Sequence, residues 1–71
     1  MTFIKGMTVI IYQDPLTQLK REGKAKLIRQ ERPDVGDGLE MWIVRFEDEP
    51  GETYPRTISN RPAQAEATAA H

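Results

Sequence analysis

The residues best suited to chemistry in this chain are carboxylates and bases, and they fall in separate runs. Glu47, Asp48, Glu49 and Glu52 gather around one turn. Paired carboxylates can do acid–base work only if one of them is desolvated enough to raise its pKa. A polar turn offers no such burial, so these four read as a solvated loop. Asp34-x-Gly36-Asp37-Gly38 has the beginning of a calcium-loop spacing. It lacks the alternating acids and the closing bidentate Glu that a hard cation needs, and an ordinary turn is the simpler reading. The chain has no Cys, and its one His is the terminal His71. That removes thiolate nucleophiles, thiolate metal sites and most imidazole chemistry. The expectation is a protein that is not an enzyme and takes neither metal nor cofactor.

The bases are more suggestive. Lys20, Arg21, Lys24, Lys26, Arg29 and Arg32 all fall within thirteen positions. Net charge is −1, which argues against general nucleic-acid binding. The average hides an asymmetry: residues 1–33 balance at +4, with seven Lys/Arg against three Asp/Glu, and residues 34–71 at −5, with three against eight. Two readings compete. Basic and acidic strands lie side by side and neutralise each other, with Lys24 opposite Glu47 in one register. Alternatively, Lys20, Arg21, Lys24, Lys26 and Arg29 form a phosphate-contacting patch, with Tyr12 as a stacking surface.

The elements that must carry these residues are strands. Met41 to Glu49 (Met-Trp-Ile-Val-Arg-Phe-Glu-Asp-Glu) holds the only Trp and is rich in β-branched and aromatic residues. Successive side chains alternate across a strand. Trp42, Val44 and Phe46 therefore share the core face, and Met41, Ile43 and Arg45 the other. Met7 to Tyr12 reads as a first strand with Met7, Val9 and Ile11 inward. Asp14-Pro15 ends it, and Asp14 as N-cap with Pro15 behind it can start one helical turn. The segment to Gly23 reads as a long loop, with Leu16 and Leu19 folded back onto the core. Lys24 to Gln30 is the second strand, with Ala25 and Leu27 on the apolar face. Glu31 to Leu39 is a polar, turn-rich connection. After a loop near Asp48–Thr53, a short strand spans Thr53 to Ile58, anchored by Tyr54 and Ile58. Pro55 demands an edge position or a bulge there.

Seventy-one residues form one small domain, near the lower limit for a self-sufficient core. Strands this few remove their edges by curling into a partly closed barrel. The layout Lys5-Gly6-x-x-Val9-x-Ile11, long loop, Gly23-x-Ala25-x-Leu27, Trp42-x-Val44-x-Phe46-x-Asp48, Pro50-Gly51 and a short Tyr-containing strand resembles an SH3-like barrel. The closest likeness is to small bacterial and phage members of the Tudor and translation-factor type. The resemblance implies an all-β, partly open barrel of four to five antiparallel strands over residues 1–60. Residues 61–71 follow as an Ala-rich tail, at most transiently helical. The peptide-binding SH3 signature is poorly met: the long loop is basic and Trp42 has no aromatic neighbour.

One feature of the pattern points to a partner. Ile10, Ile28 and Ile43 fall on the face away from Trp42, with Tyr12 and Met41 nearby, and a contiguous exposed apolar patch usually marks an interface. A homodimer or a protein partner would cover it; so would the long loop or the tail. A one-residue register slip would swap the faces. The opening Met-Thr-Phe-Ile-Lys-Gly has no long apolar region, and no stretch is long enough to span a bilayer. The expectation is a cytoplasmic protein-interaction module, with nucleic-acid binding as the alternative.

Overall fold

A computed structural model describes residues 2–61. Four strands run in chain order: β1 (Thr8–Tyr12), β2 (Arg21–Arg32), β3 (Leu39–Phe46) and β4 (Tyr54–Ser59). They form one open antiparallel sheet in the order β1-β2-β3-β4. The protein is thus all-β, and among the described residues there is no helix and no fifth strand. Accordingly, no helix is long and apolar enough to cross a membrane. The tail expected over 61–71 falls, from residue 62 onward, outside the described residues.

The alternation in β3 decides the core. Trp42, Val44 and Phe46 are buried, together with Ile11, Ala25, Leu27 and Ile58, while Phe3, Met7, Val9 and Tyr54 pack against their edge. Trp42 is only 4% exposed. Burying side chains of this size contributes roughly 1.5–3 kcal/mol each, which is what a small domain without disulfides has to rely on.

β2 is longer than the sequence pattern suggests, adding Arg21–Gly23 and Glu31–Arg32. A strand in the middle of a sheet can extend through polar residues as long as β1 and β3 keep pairing with it. The register shifts between Ile11 and Tyr12, between Leu27 and Arg29, and between Gln30 and Arg32. Such bulges bend a strand and increase its twist, and buried residues of all four strands join one core cluster.

The loop between β1 and β2 differs from expectation in one respect. Asp14 Oδ1 accepts hydrogen bonds from the Leu16 and Thr17 amides (2.9 and 3.5 Å), and the Gln18 amide donates to the Asp14 carbonyl (2.9 Å). This is the single capped turn that Asp14-Pro15 predicts. Leu16 and Leu19, however, do not fold back: they are 43% and 77% exposed. The turn closes on itself, and Gln18, at φ 54°, reverses the chain, so both leucines point to solvent.

Candidate functional site

Three surfaces compete. The first is the outer-face apolar set. The register places Ile10 opposite Lys24, whereas Ile43 lies opposite Arg29 and Met41 opposite Arg32. Ile28 occupies the bulge beside Arg29. Lys24 and Ile28 are four residues apart on β2, about 13 Å in an extended strand. The pair Thr8 and Lys26 and the residue Arg45 intervene. The surface therefore divides into Ile28, Met41 and Ile43 at one end and Ile10 and Tyr12 at the other, all five half-buried.

The second surface is basic. Lys20, Arg21, Lys24, Lys26 and Arg29 are all exposed. Lys24 lies opposite Glu47, as one expected register had it: the Glu47 amide donates to the Lys24 carbonyl (3.1 Å). The ion pairs among the described residues are Arg29–Glu31 (2.7 Å), Arg32–Asp37 (3.8 Å) and Arg56–Glu22 (2.6 Å), so Lys20, Arg21, Lys24 and Lys26 take part in none of them. Lys26 instead faces Arg45 across the ladder, a like-charge pair that repels.

The third surface was not singled out from the sequence. β1 and β4 are the two edges of the open sheet, and a groove of about 590 Å3 runs between them. Its apolar lining comes from Phe3, Met7, Val9, Ile10, Tyr12, Pro15 and Ile58, and its polar lining from Thr8, Gln18, Thr57, Ser59, Asn60 and Arg61.

The ladder shows where the backbone of these edges points. In an antiparallel pair, N–H and C=O groups alternate between the partner strand and the opposite side. Met7 O accepts from the Leu27 amide and the Gln13 amide donates to Lys20 O, so odd-numbered residues of β1 bond to β2. Thr8, Ile10 and Tyr12 therefore direct their backbone groups away from it. On β4, the Asn60 amide donates to Gly38 O, so even-numbered residues bond to the β3 side, and Thr57 and Ser59 point outward. All five outward-pointing residues line the groove. Pro55 shares their parity, has no N–H, and lies on the stretch of β4 edge outside the groove. The signal was available in the pattern: a meander of four strands has its first and last strands at the edges.

Two polar clusters frame this site. At the end of the sheet, buried Glu40 (7% exposed) accepts at Oε1 from Trp42 Nε1 (3.0 Å) and Gln30 Nε2 (2.8 Å), and at Oε2 from Asn60 Nδ2 (2.7 Å). Asn60 Nδ2 also reaches Asp34 Oδ2 (3.0 Å). Asp34 Oδ1 in turn accepts from the Gly36 and Gly38 amides (2.7 and 3.0 Å). These bonds favour the ionised carboxylate, and with Asn60 the largest contributor they hold Asp34 down to about 2. The turn at Asp34–Gly38 is thus an ordered clasp between the β2–β3 connection and the end of β4. Gly38, at φ +78°, leaves no room for a Cβ, which would come within 2.5 Å of the Arg61 side chain.

At the other end, Arg56 places its guanidinium over the Phe46 and Tyr54 rings, 5.6 and 5.3 Å from their centroids. It holds the Glu22 carboxylate through two bonds of 2.8 and 2.6 Å. The Arg56 bond lowers the Glu22 pKa, and Glu22 raises that of Arg56. Tyr54 Oη–H donates to Glu49 (2.6 Å), which raises the tyrosine pKa. No buried side-chain polar atom among the described residues lacks a partner, and no cluster of His, Cys, Asp or Glu has metal-binding geometry there. The four acids of the β3–β4 turn are exposed.

No family model, no curated protein and no solved structure matches this chain. Its functional reading rests on the surfaces themselves.

Proposed function

We propose that this chain is a non-enzymatic protein-interaction module, a partly open SH3-like barrel that accepts an extended partner segment in the groove between β1 and β4. One observation carries the reading: of the six residues of β1 and β4 that direct backbone groups away from the ladder, all but Pro55 line one groove with an apolar floor. Strand addition uses this combination, with main-chain hydrogen bonds supplying affinity and pockets for alternate side chains supplying selectivity. Free edges are otherwise an aggregation hazard, and a guest strand would close the curl.

A Val/Thr alternating peptide tests it. Binding should slow amide exchange at Ile10 and Tyr12, and N-methylation of the peptide along one edge should abolish binding. Protection that survives N-methylation of each edge in turn would rule out backbone pairing. Self-association through Ile10, Ile28 and Ile43 as one surface is less favoured, because Lys24, Lys26 and Arg45 separate Ile10 from the other two. Sedimentation is expected to show a monomer.

One observation favours nucleic-acid binding as the second reading: exposed Lys26 and Arg45 lie directly opposite each other, a repulsion that a phosphate would relieve. Binding of this kind must weaken steeply as salt is raised.

A further inference from the structure

Resting on the strand-addition reading, we infer that the groove selects an extended partner segment in which small aliphatic residues alternate with acidic ones. The register of β1 on β2 supplies the argument. Each β1 residue whose backbone faces the groove has a basic residue opposite it on β2: Thr8 faces Lys26, Ile10 faces Lys24 and Tyr12 faces Arg21. All three bases are exposed, and none of them is in an ion pair among the described residues.

A strand added to the β1 edge continues the pleat. Alternate side chains of the guest then lie on the outer face, level with Thr8, Ile10 and Tyr12 and one strand beyond them from the bases. Two strand spacings separate guest from β2, about 10 Å, the span of a lysine and a glutamate stretched toward each other across Thr8. The remaining guest side chains turn inward over Met7, Val9 and Ile58, where the floor is apolar.

The local charge agrees with an acidic guest. Among the described residues that line the groove, Arg61 is the charged one. On the outer face beyond β2, Lys24 meets Glu47 just past the end of β3, which partly offsets it, while Lys26 meets Arg45 and keeps its full field. The selective position is therefore the guest residue level with Thr8 and Lys26.

Fluorescence anisotropy with four labelled probes decides the matter: a Val/Glu alternating peptide, its Val/Lys and Val/Thr counterparts, and a single-stranded oligonucleotide. The Val/Glu peptide should bind about tenfold tighter than Val/Thr at low salt, and the margin should shrink as salt screens the charges. Val/Lys should bind weakest. The surface double variant Lys24→Glu/Lys26→Glu should reverse the order of Val/Glu and Val/Lys. Equal affinity for Val/Glu and Val/Thr overturns the charge selection and leaves strand addition standing. Binding by no peptide, with Ile10 amide exchange unaltered, overturns both. Preferential, salt-sensitive binding of the oligonucleotide overturns the peptide assignment and gives the bases to phosphate.

Discussion

The two sides of β4 treat their polar groups in opposite ways. Around Asn60, the side chains of Asp34, Glu40, Gln30 and Trp42 satisfy one another, and the Gly36 and Gly38 amides are drawn into the same network. On the groove side, Thr57 and Ser59 face Thr8, Ile10 and Tyr12, and their outward backbone groups meet no strand among the described residues. A buried polar group must find its partner inside the protein, while an edge group can leave its own to a guest. Internal hydrogen bonding and open strand edge are thus segregated within a few residues.

The largest expected effect lies in the clasp. Glu40→Ala removes the acceptor of three donors, and leaving the buried Trp42 donor and the amide donors of two half-buried hydrogen bonds short of a partner should cost about 3 kcal/mol. Urea unfolding would show this as a lower midpoint at unchanged slope. Glu40→Gln, which keeps one carbonyl acceptor, should lose less; equal losses would mean that shape rather than hydrogen bonding holds this end.

Gly38→Ala comes next, at about 1–2 kcal/mol, because the left-handed backbone disfavours a Cβ and Arg61 must move aside. Thermal unfolding measures it, and a neutral result would show that the turn relaxes freely.

Asp34→Asn sharpens the comparison through pH. The folded-state pKa of about 2 lies below the ordinary 3.8, so the ionised form is favoured in the folded protein. Its stabilisation is complete above about pH 4 and is lost as pH falls toward 2. The wild type should therefore lose stability over that interval faster than the variant, and parallel acid-unfolding curves would contradict the clasp.

The smallest effect on stability belongs to the groove. Thr8→Pro removes an N–H that points away from the ladder, so stability should change by less than about 1 kcal/mol, while binding of the Val/Glu peptide weakens severalfold. Loss of stability comparable to the clasp variants would mean that the Thr8 amide is used within the fold.

Much of this architecture was legible in the residues. The parity of Trp42, Val44 and Phe46 determined the inner face, and the opposition of Lys24 and Glu47 follows from the same count. Pro55 marked the edge. The buried acid was also within reach, since Glu40 stands two residues before Trp42 and must share its face, but acids next to turns are normally solvated. Arg56 escaped notice for a similar reason: it shares parity with Tyr54 and Ile58, yet its burial depends on Glu22, which only the folded chain brings near. The continuity of the outer isoleucines was misjudged because bulges at Ile28 and Glu31 shift the register by amounts no alternation rule supplies. The groove could not be sized from sequence, because the gap between two edges depends on how far the sheet curls.

Pro55 has a further bearing on assembly. A sheet receptive on both margins can string copies together end to end without limit. Here the margin of β4 outside the groove carries a residue that cannot donate, and the rest of that margin shares its cleft with β1. A single guest would saturate the molecule, giving one-to-one stoichiometry and no growing fibre.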